Sequence, residues 1–211
     1  DDFYTNETIK GWYKDYIKTL LNHENVYTGV KYKDDPTIFS WELANEPRCE
    51  SDAGCENHVV ENWASEMSDY VKSIDSNHML AVGDEGFYNY GYNDFPEGDH
   101  KSVYHGRSGM DWLSLTNLPN IDYGTIHVYC DQWGLTKEQG NFWFKKHGED
   151  AAAMNKPVIV EEFGWKDKSE RADVYNEWFD IFEGNTYEGV EYAGTNYWML
   201  ASLTGDGTLY Q

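Results

Sequence analysis

The sequence predicts an α/β chain built on a parallel sheet, an incomplete (β/α)8 TIM barrel with about five βα units, strands four to eight. Three observations lead there. Short apolar runs alternate with longer stretches of helical periodicity. The runs are near-continuous rather than alternating with polar residues, as in strands covered on both faces, which implies a parallel sheet with helical crossovers. Chemistry-bearing side chains recur at the C-terminal ends of the runs, the face where barrels of this kind keep their functional groups.

The elements follow in order. Ile9, Trp12, Tyr13, Tyr16, Ile17, Leu20 and Leu21 fall three and four apart, so residues 5–23 read as an amphipathic helix with Thr5 as N-cap. Residues 37–45 read as a buried strand. A helix over 57–74 carries Val59, Val60, Trp63, Met67, Tyr70, Val71 and Ile74 on one side. A strand over 79–83 precedes a long polar loop from Phe87 to about Ser108. A short helix over 110–117, a strand over 123–129, a helix over 136–154 and a strand over 157–162 continue the alternation. A helix over 169–183 and a strand over 192–198 close it.

A full barrel needs ~250 residues. A 211-residue chain with a helix first and a strand nearly last reads as one partial catalytic domain over 1–211, cut at both ends. Neither a repeat nor a linker suggests a second domain. No Gly-x-Gly-x-x-Gly follows a strand, which disfavours a dinucleotide fold.

Composition narrows the partners. The net charge of −22 repels nucleic-acid phosphates and anionic lipid heads, so neither nucleic acid nor membrane is expected as a partner. No apolar run approaches the ~20 residues that span a bilayer. Aromatic residues are 17% of the chain, enough both to fill a core and to line a groove for flat ligands. Cys49 and Cys55, six apart in a loop, suit a short disulfide and hence a secreted protein, with Cys130 left over. Asn6-Glu7-Thr8 is a glycosylation sequon. The seven His show no zinc spacing, and Gly205-Asp206-Gly207 lacks that of a calcium loop, so neither a metal nor a cofactor is expected.

Two glutamates stand out. Glu46 ends Trp41-Glu42-Leu43-Ala44-Asn45-Glu46 before Pro47-Arg48, and Glu162 ends Val158-Ile159-Val160-Glu161-Glu162 before Phe163-Gly164. Each carboxylate lies where a strand gives way to a loop. A parallel barrel brings such positions face to face, and paired carboxylates are the equipment for cleaving a glycosidic bond.

Trp41 to Arg48, His127-Val128-Tyr129, Glu161-Glu162-Phe163-Gly164 and Asn196-Tyr197-Trp198, each ending a predicted strand, together resemble glycoside hydrolase family five. The likeness is greatest to its fungal and plant-like branch of endo-β-1,4-mannanases. Gly83-Asp84-Glu85-Gly86-Phe87 and Asp131-Gln132-Trp133-Gly134 sharpen it toward that branch, and it covers essentially the whole chain.

The resemblance implies a secreted retaining endo-β-1,4-mannanase, monomeric at full length, acting on β-mannan. Glu46 would be the general acid/base and Glu162 the nucleophile, their carboxyls ~5–5.5 Å apart. Asn45 would donate to the sugar 2-OH. His127 would border the substrate, the Tyr129 hydroxyl would bond the nucleophile, and Trp198 would form the platform under the sugar. Arg48 would reach the leaving-group side, Glu85 would bond sugar hydroxyls, and Trp133 would stack on a ring. Strand alternation is expected to send Glu161 and Glu162 to opposite faces. Glu42 is expected to be buried and structural, short of the Arg that the family supplies from an early strand. Two rival readings stand beside this one: a β-1,4- or β-1,3-glucanase of the same family, and an inactive truncated fragment that only binds sugar.

Overall fold

A computed structural model describes residues 2–50, 55, 58–89 and 108–199. Most of the polar loop predicted from Phe87 to Ser108, and the Gly205-Asp206-Gly207 segment, lie outside the described residues.

The first predicted helix is two helices, α1 over Asp2–Thr5 and α2 over Glu7–Leu21. Asn6, not Thr5, caps α2. Its side-chain oxygen accepts from the Thr8 and Ile9 amides at 2.9 and 3.3 Å. Asn outranks Thr as a cap, so the helix starts one residue later than Thr5 suggested. The remaining elements are β1 (Ser40–Glu42), α3 (Val59–Ile74), β2 (Met79–Ala81), α4 (Trp112–Thr116), β3 (Gly124–Val128), α5 (Lys137–Met154), β4 (Val158–Phe163), α6 (Arg171–Phe182) and β5 (Gly194–Thr195). A capping box between Thr136 and Gln139 starts α5 as the sequence positions it.

Among the described residues these strands pair in parallel, β1 with β2, and β3 with β4 with β5. The two ladders are stitched between β2 and β3. The Asp122 amide donates to the Leu80 carbonyl at 2.8 Å and the His127 amide to the Glu85 carbonyl at 3.3 Å. The Thr125 hydroxyl donates to the Asp84 carbonyl and accepts from the Asp84 amide. The strands therefore succeed one another in chain order, as in a barrel wall. β1 and β5 are shorter than predicted because their C-terminal residues bond the neighbour irregularly. Leu43, Ala44 and Glu46 donate to Ala81, Val82 and Gly83, and Asn196 and Trp198 donate to Val160 and Phe163.

Helices cover the outer face. Trp63 of α3 is buried among Tyr4, Tyr13 and Phe3. Behind β3 and β4, Phe144 of α5 and Trp178 and Phe182 of α6 form a second aromatic layer around Phe163. The Cys49–Cys55 disulfide is formed with both residues buried, and Cys130 is a buried free thiol. Among the described residues no helix is long and apolar enough to cross a membrane.

Candidate active site

The C-terminal ends of β1 to β5 collect the polar side chains. Glu46 follows β1 with φ +50°, a left-handed conformation that few non-glycine residues hold and that marks a spot fixed by its surroundings. Two features fix it here. The Glu46 amide donates to the Gly83 carbonyl at 2.8 Å. Gly83, at φ +86°, lets the end of β2 approach so closely that a Cβ there would lie 2.2 Å from the Ala44 carbonyl oxygen.

Glu162 sits near the end of β4, and its Oε2 accepts from the Tyr129 hydroxyl at 2.5 Å. Burial and the Glu162 charge hold that phenol well above its ordinary range, so it remains a donor. Both glutamates approach one edge of His127, buried near the end of β3. Its Nδ1 is 2.9 Å from Glu46 Oε1 and 3.8 Å from Glu162 Oε1. Oxygens of Glu46 and Glu162 and a ring nitrogen of His127 all fall within 4.8 Å of one another. That carboxyl spacing lies on the short side of the ~5–5.5 Å of retaining glycosidases and below the ~6.5–9.5 Å of inverting ones. The three groups also have the donor types of a cation site, but the His127–Glu46 hydrogen bond occupies the ring nitrogen that would bind it.

The ladder explains a departure from simple alternation. Ile126 pairs with Val160, but His127 pairs with Glu162, so Glu161 is an extra residue in β4. The bulge turns Glu161 inward alongside Glu162, where its Oε2 lies 3.4 Å from His127 Nε2. The expectation that the pair point to opposite faces is therefore corrected. His127 is contacted by carboxylates on both ring nitrogens. Burial opposes its charge, but Glu161 and Glu46 outweigh burial and raise it to about 9.

Glu42 also departs from expectation. Its residue is solvent-exposed on the inner face rather than buried, and its carboxyl contacts Glu161 rather than lacking a partner. Desolvation by surrounding groups, then the Glu161 contact and charge, push it up to about 8. Solvent access softens the first of these causes, and the like charge remains.

The other predicted residues separate into two groups. Asn45 directly precedes Glu46, and the Trp198 amide donates to the Phe163 carbonyl, next to Glu162; both side chains are exposed, Trp198 at 56%, so neither is consumed by the core. Arg48 and Glu85 are joined: the guanidinium donates through Nε and Nη2 to both oxygens of the buried Glu85 carboxylate, while Nη2 lies 3.9 Å from Glu46 Oε2. Burial raises Glu85 and Arg48 partly offsets that. Glu85 is thus engaged by Arg48 instead of standing free. Trp133 is half-buried against Phe87, Trp143 and Tyr129 and is largely a packing residue.

Sequence reasoning missed the inward turn of Glu161 and the role of Asp84. Asp84 is fully buried, its carboxylate accepting from the Gly86 amide at 2.8 Å, and burial pushes it up to about 8. Alternation gave no sign of the bulge, and Asp84 stood in the Gly83-Asp84-Glu85-Gly86-Phe87 motif without a role of its own.

Proteins of known structure share this arrangement of the chain. The hyperthermostable endo-1,4-beta-D-mannanase from Thermotoga petrophila superposes with a TM-score of 0.86 at 39% identity, over all of this chain and 60% of that one. The endo-1,4-beta-mannanase from Rhizomucor miehei gives 0.83 at 42%, over 94% of this chain and 55% of that one. Mannan endo-1,4-beta-mannosidase 1 of Arabidopsis thaliana is 39% identical over 98% of this chain and 54% of its own length. The chain thus spans about half the length of the curated relatives it matches. The model of the GH family 5 beta-mannosidase-like family matches residues 1–206. With that match running from the first helix past the last strand, the chain belongs to glycoside hydrolase family 5, as part of its (β/α)8 barrel.

Proposed function

We propose that the protein carrying this chain is a retaining endo-β-1,4-mannanase that hydrolyses mannan, glucomannan and galactomannan. We also propose that residues 1–211 are part of one secreted catalytic domain. The observation that carries this reading is the pair of carboxyls, Glu46 and Glu162, within 4.8 Å of each other and both beside His127 Nδ1. Relatives at about 40% identity that are named as mannan-cleaving enzymes favour mannan over glucan as the substrate.

The chemistry follows from the geometry. Tyr129 holds Glu162 Oε2, which leaves Oε1 to attack the anomeric carbon. Glu46 gives its proton to the departing glycosidic oxygen, and a covalent glycosyl ester forms on Glu162. Glu46 then takes a proton from water, whose oxygen displaces Glu162, so the configuration is inverted twice and retained overall. The spacing leaves no room for a water between carboxyl and sugar in the first step. Trp198 offers an exposed aromatic face to the sugar ring, and Asn45 an amide to its 2-OH.

Glu162→Ala tests the reading. Cleavage of mannan should collapse in the full-length protein, and added azide should restore cleavage of an activated β-mannoside to give the α-mannosyl azide. A variant that folds but shows no rescue points to another nucleophile.

A further inference from the structure

The bulge in β4 brings to the site a carboxylate for which the two-glutamate reaction has no use. Glu161 Oε2 is 3.4 Å from His127 Nε2, on the side of the ring opposite Glu46, whose Oε1 is 2.9 Å from Nδ1. Behind it, the Glu42 carboxyl is in contact with that of Glu161. We propose that Glu161 is a positioning residue: backed by Glu42, it holds the Nε2 proton of His127, so that the one transferable proton of the His127–Glu46 pair stays on the Nδ1–Oε1 contact, ready for the leaving group. The proposal rests on the reading of Glu46 as acid/base.

Three lines of reasoning support it. The first concerns which nitrogen carries which proton. A histidine between two acceptors is fixed at one nitrogen by the hydrogen bond made at the other. With Glu161 accepting from Nε2–H, a neutral ring leaves Nδ1 as an acceptor for a protonated Glu46, while an imidazolium donates from Nδ1 to an ionised Glu46. Both states carry the same proton on the same contact. Without the Glu161 charge, the ring is free to put its only proton on Nδ1, and Glu46 then faces a donor when it needs to hold a proton of its own.

The second concerns the charges around the ring. Asp84 and Glu85 reach it from the end of β2, Glu162 from β4, and Tyr129 from its own strand. Asp84, pushed up to about 8 by burial, is largely neutral at neutral pH. Glu85 is matched by Arg48. Tyr129 remains a phenol and bonds Glu162. Tyr123, which faces Glu161 and Glu42, is pushed up to about 12 by burial and remains a phenol as well. Glu162 lies 3.8 Å from Nδ1, not Nε2, and is held by Tyr129. Among the described residues, Glu161 is the carboxylate whose oxygen lies against Nε2.

The third concerns Glu42. Desolvation and the Glu161 contact raise Glu42, which favours a proton shared between the two carboxyls over two charges facing each other. Glu161 then lies between Glu42 on one side and His127 on the other, and this directs it at the ring.

The test uses the full-length protein and the pH dependence of kcat/KM on a mannooligosaccharide. Glu161→Gln keeps the shape and removes the charge. Losing a negative charge ~4 Å away destabilises the proton on the His127–Glu46 pair, so the alkaline limb should move about one pH unit toward acid. Glu161→Asp, which keeps the charge, should return most of that shift. A folded Glu161→Gln protein with an unmoved alkaline limb overturns the inference. If Glu161→Gln does not fold, ¹⁵N NMR of the wild-type His127 ring decides. Nε2 should stay protonated across the active range while Nδ1 titrates with the alkaline limb; a bare Nε2 in the active range overturns the inference. A wild-type protein that cleaves no mannan at any pH would fail the mannanase reading itself, a result distinct from either of these.

Discussion

In the proposed reaction one hydroxyl, that of Tyr129, orients the nucleophile. It donates to one oxygen of Glu162 and so restrains the carboxylate while leaving the other oxygen free. A hydrogen bond to a charged group contributes about 1.5–3 kcal/mol. Tyr129→Phe should therefore lower kcat about 10- to 100-fold with KM little changed, because the ring still packs beside Gly164 and Trp133. Steady-state kinetics on a mannooligosaccharide check this. At this scale much was legible in the sequence. Glu46, His127, Tyr129 and Glu162 each end an apolar run, and the fold brings them together. Glu161 was not legible, because alternation assumes an unbroken ladder and a single inserted residue reverses it. The Arg48–Glu85 pair was also hidden, since 37 positions separate the partners and only the β1–β2 pairing makes them neighbours.

At the scale of elements, close backbone approach sets the site. A Cβ on Gly83 would meet the Ala44 carbonyl oxygen at 2.2 Å, at a φ that an L side chain rarely adopts. Gly83→Ala should cost about 3 kcal/mol of stability and displace Glu46, visible as a lower Tm together with a lower kcat. His147 of α5 ties helix to loop. Its Nε2 faces the Gly86 carbonyl at 2.8 Å, directly after Asp84 and Glu85, and its ring is packed by Tyr88, Trp112 and Trp143. Burial lowers it to about 4, against two backbone hydrogen bonds that raise it. Between its ordinary value near 6.5 and about 4, the unfolded chain binds a proton that the folded chain refuses. Stability should therefore fall as pH drops through that window, by up to about 3 kcal/mol from this group. Denaturant titrations from pH 7 to 4 should show a flatter slope for His147→Gln than for the wild type. Helix positions and strand order were readable from periodicity. Strand lengths were not, because the ends of β1 and β5 bond irregularly where the backbone turns to place Glu46 and Trp198.

At the scale of the whole molecule, β1 and β5 are the outermost strands of the described sheet, and Glu42 on its inner face is open to solvent. The chain matches about half of each relative's length. Residues 1–211 expressed alone should accordingly show little turnover beside a version extended to the full barrel, compared by the rate of mannan hydrolysis; equal rates would show that these strands suffice. In the proposed mechanism Glu162 becomes the ester-forming carboxylate. The most direct measurement is mass spectrometry of the full-length protein after reaction with a 2-deoxy-2-fluoro-β-mannosyl fluoride. Peptide sequencing should place the fluoromannosyl adduct on Glu162. An adduct on Glu161 or Glu46, or turnover of mannan with no adduct at all, would contradict the account.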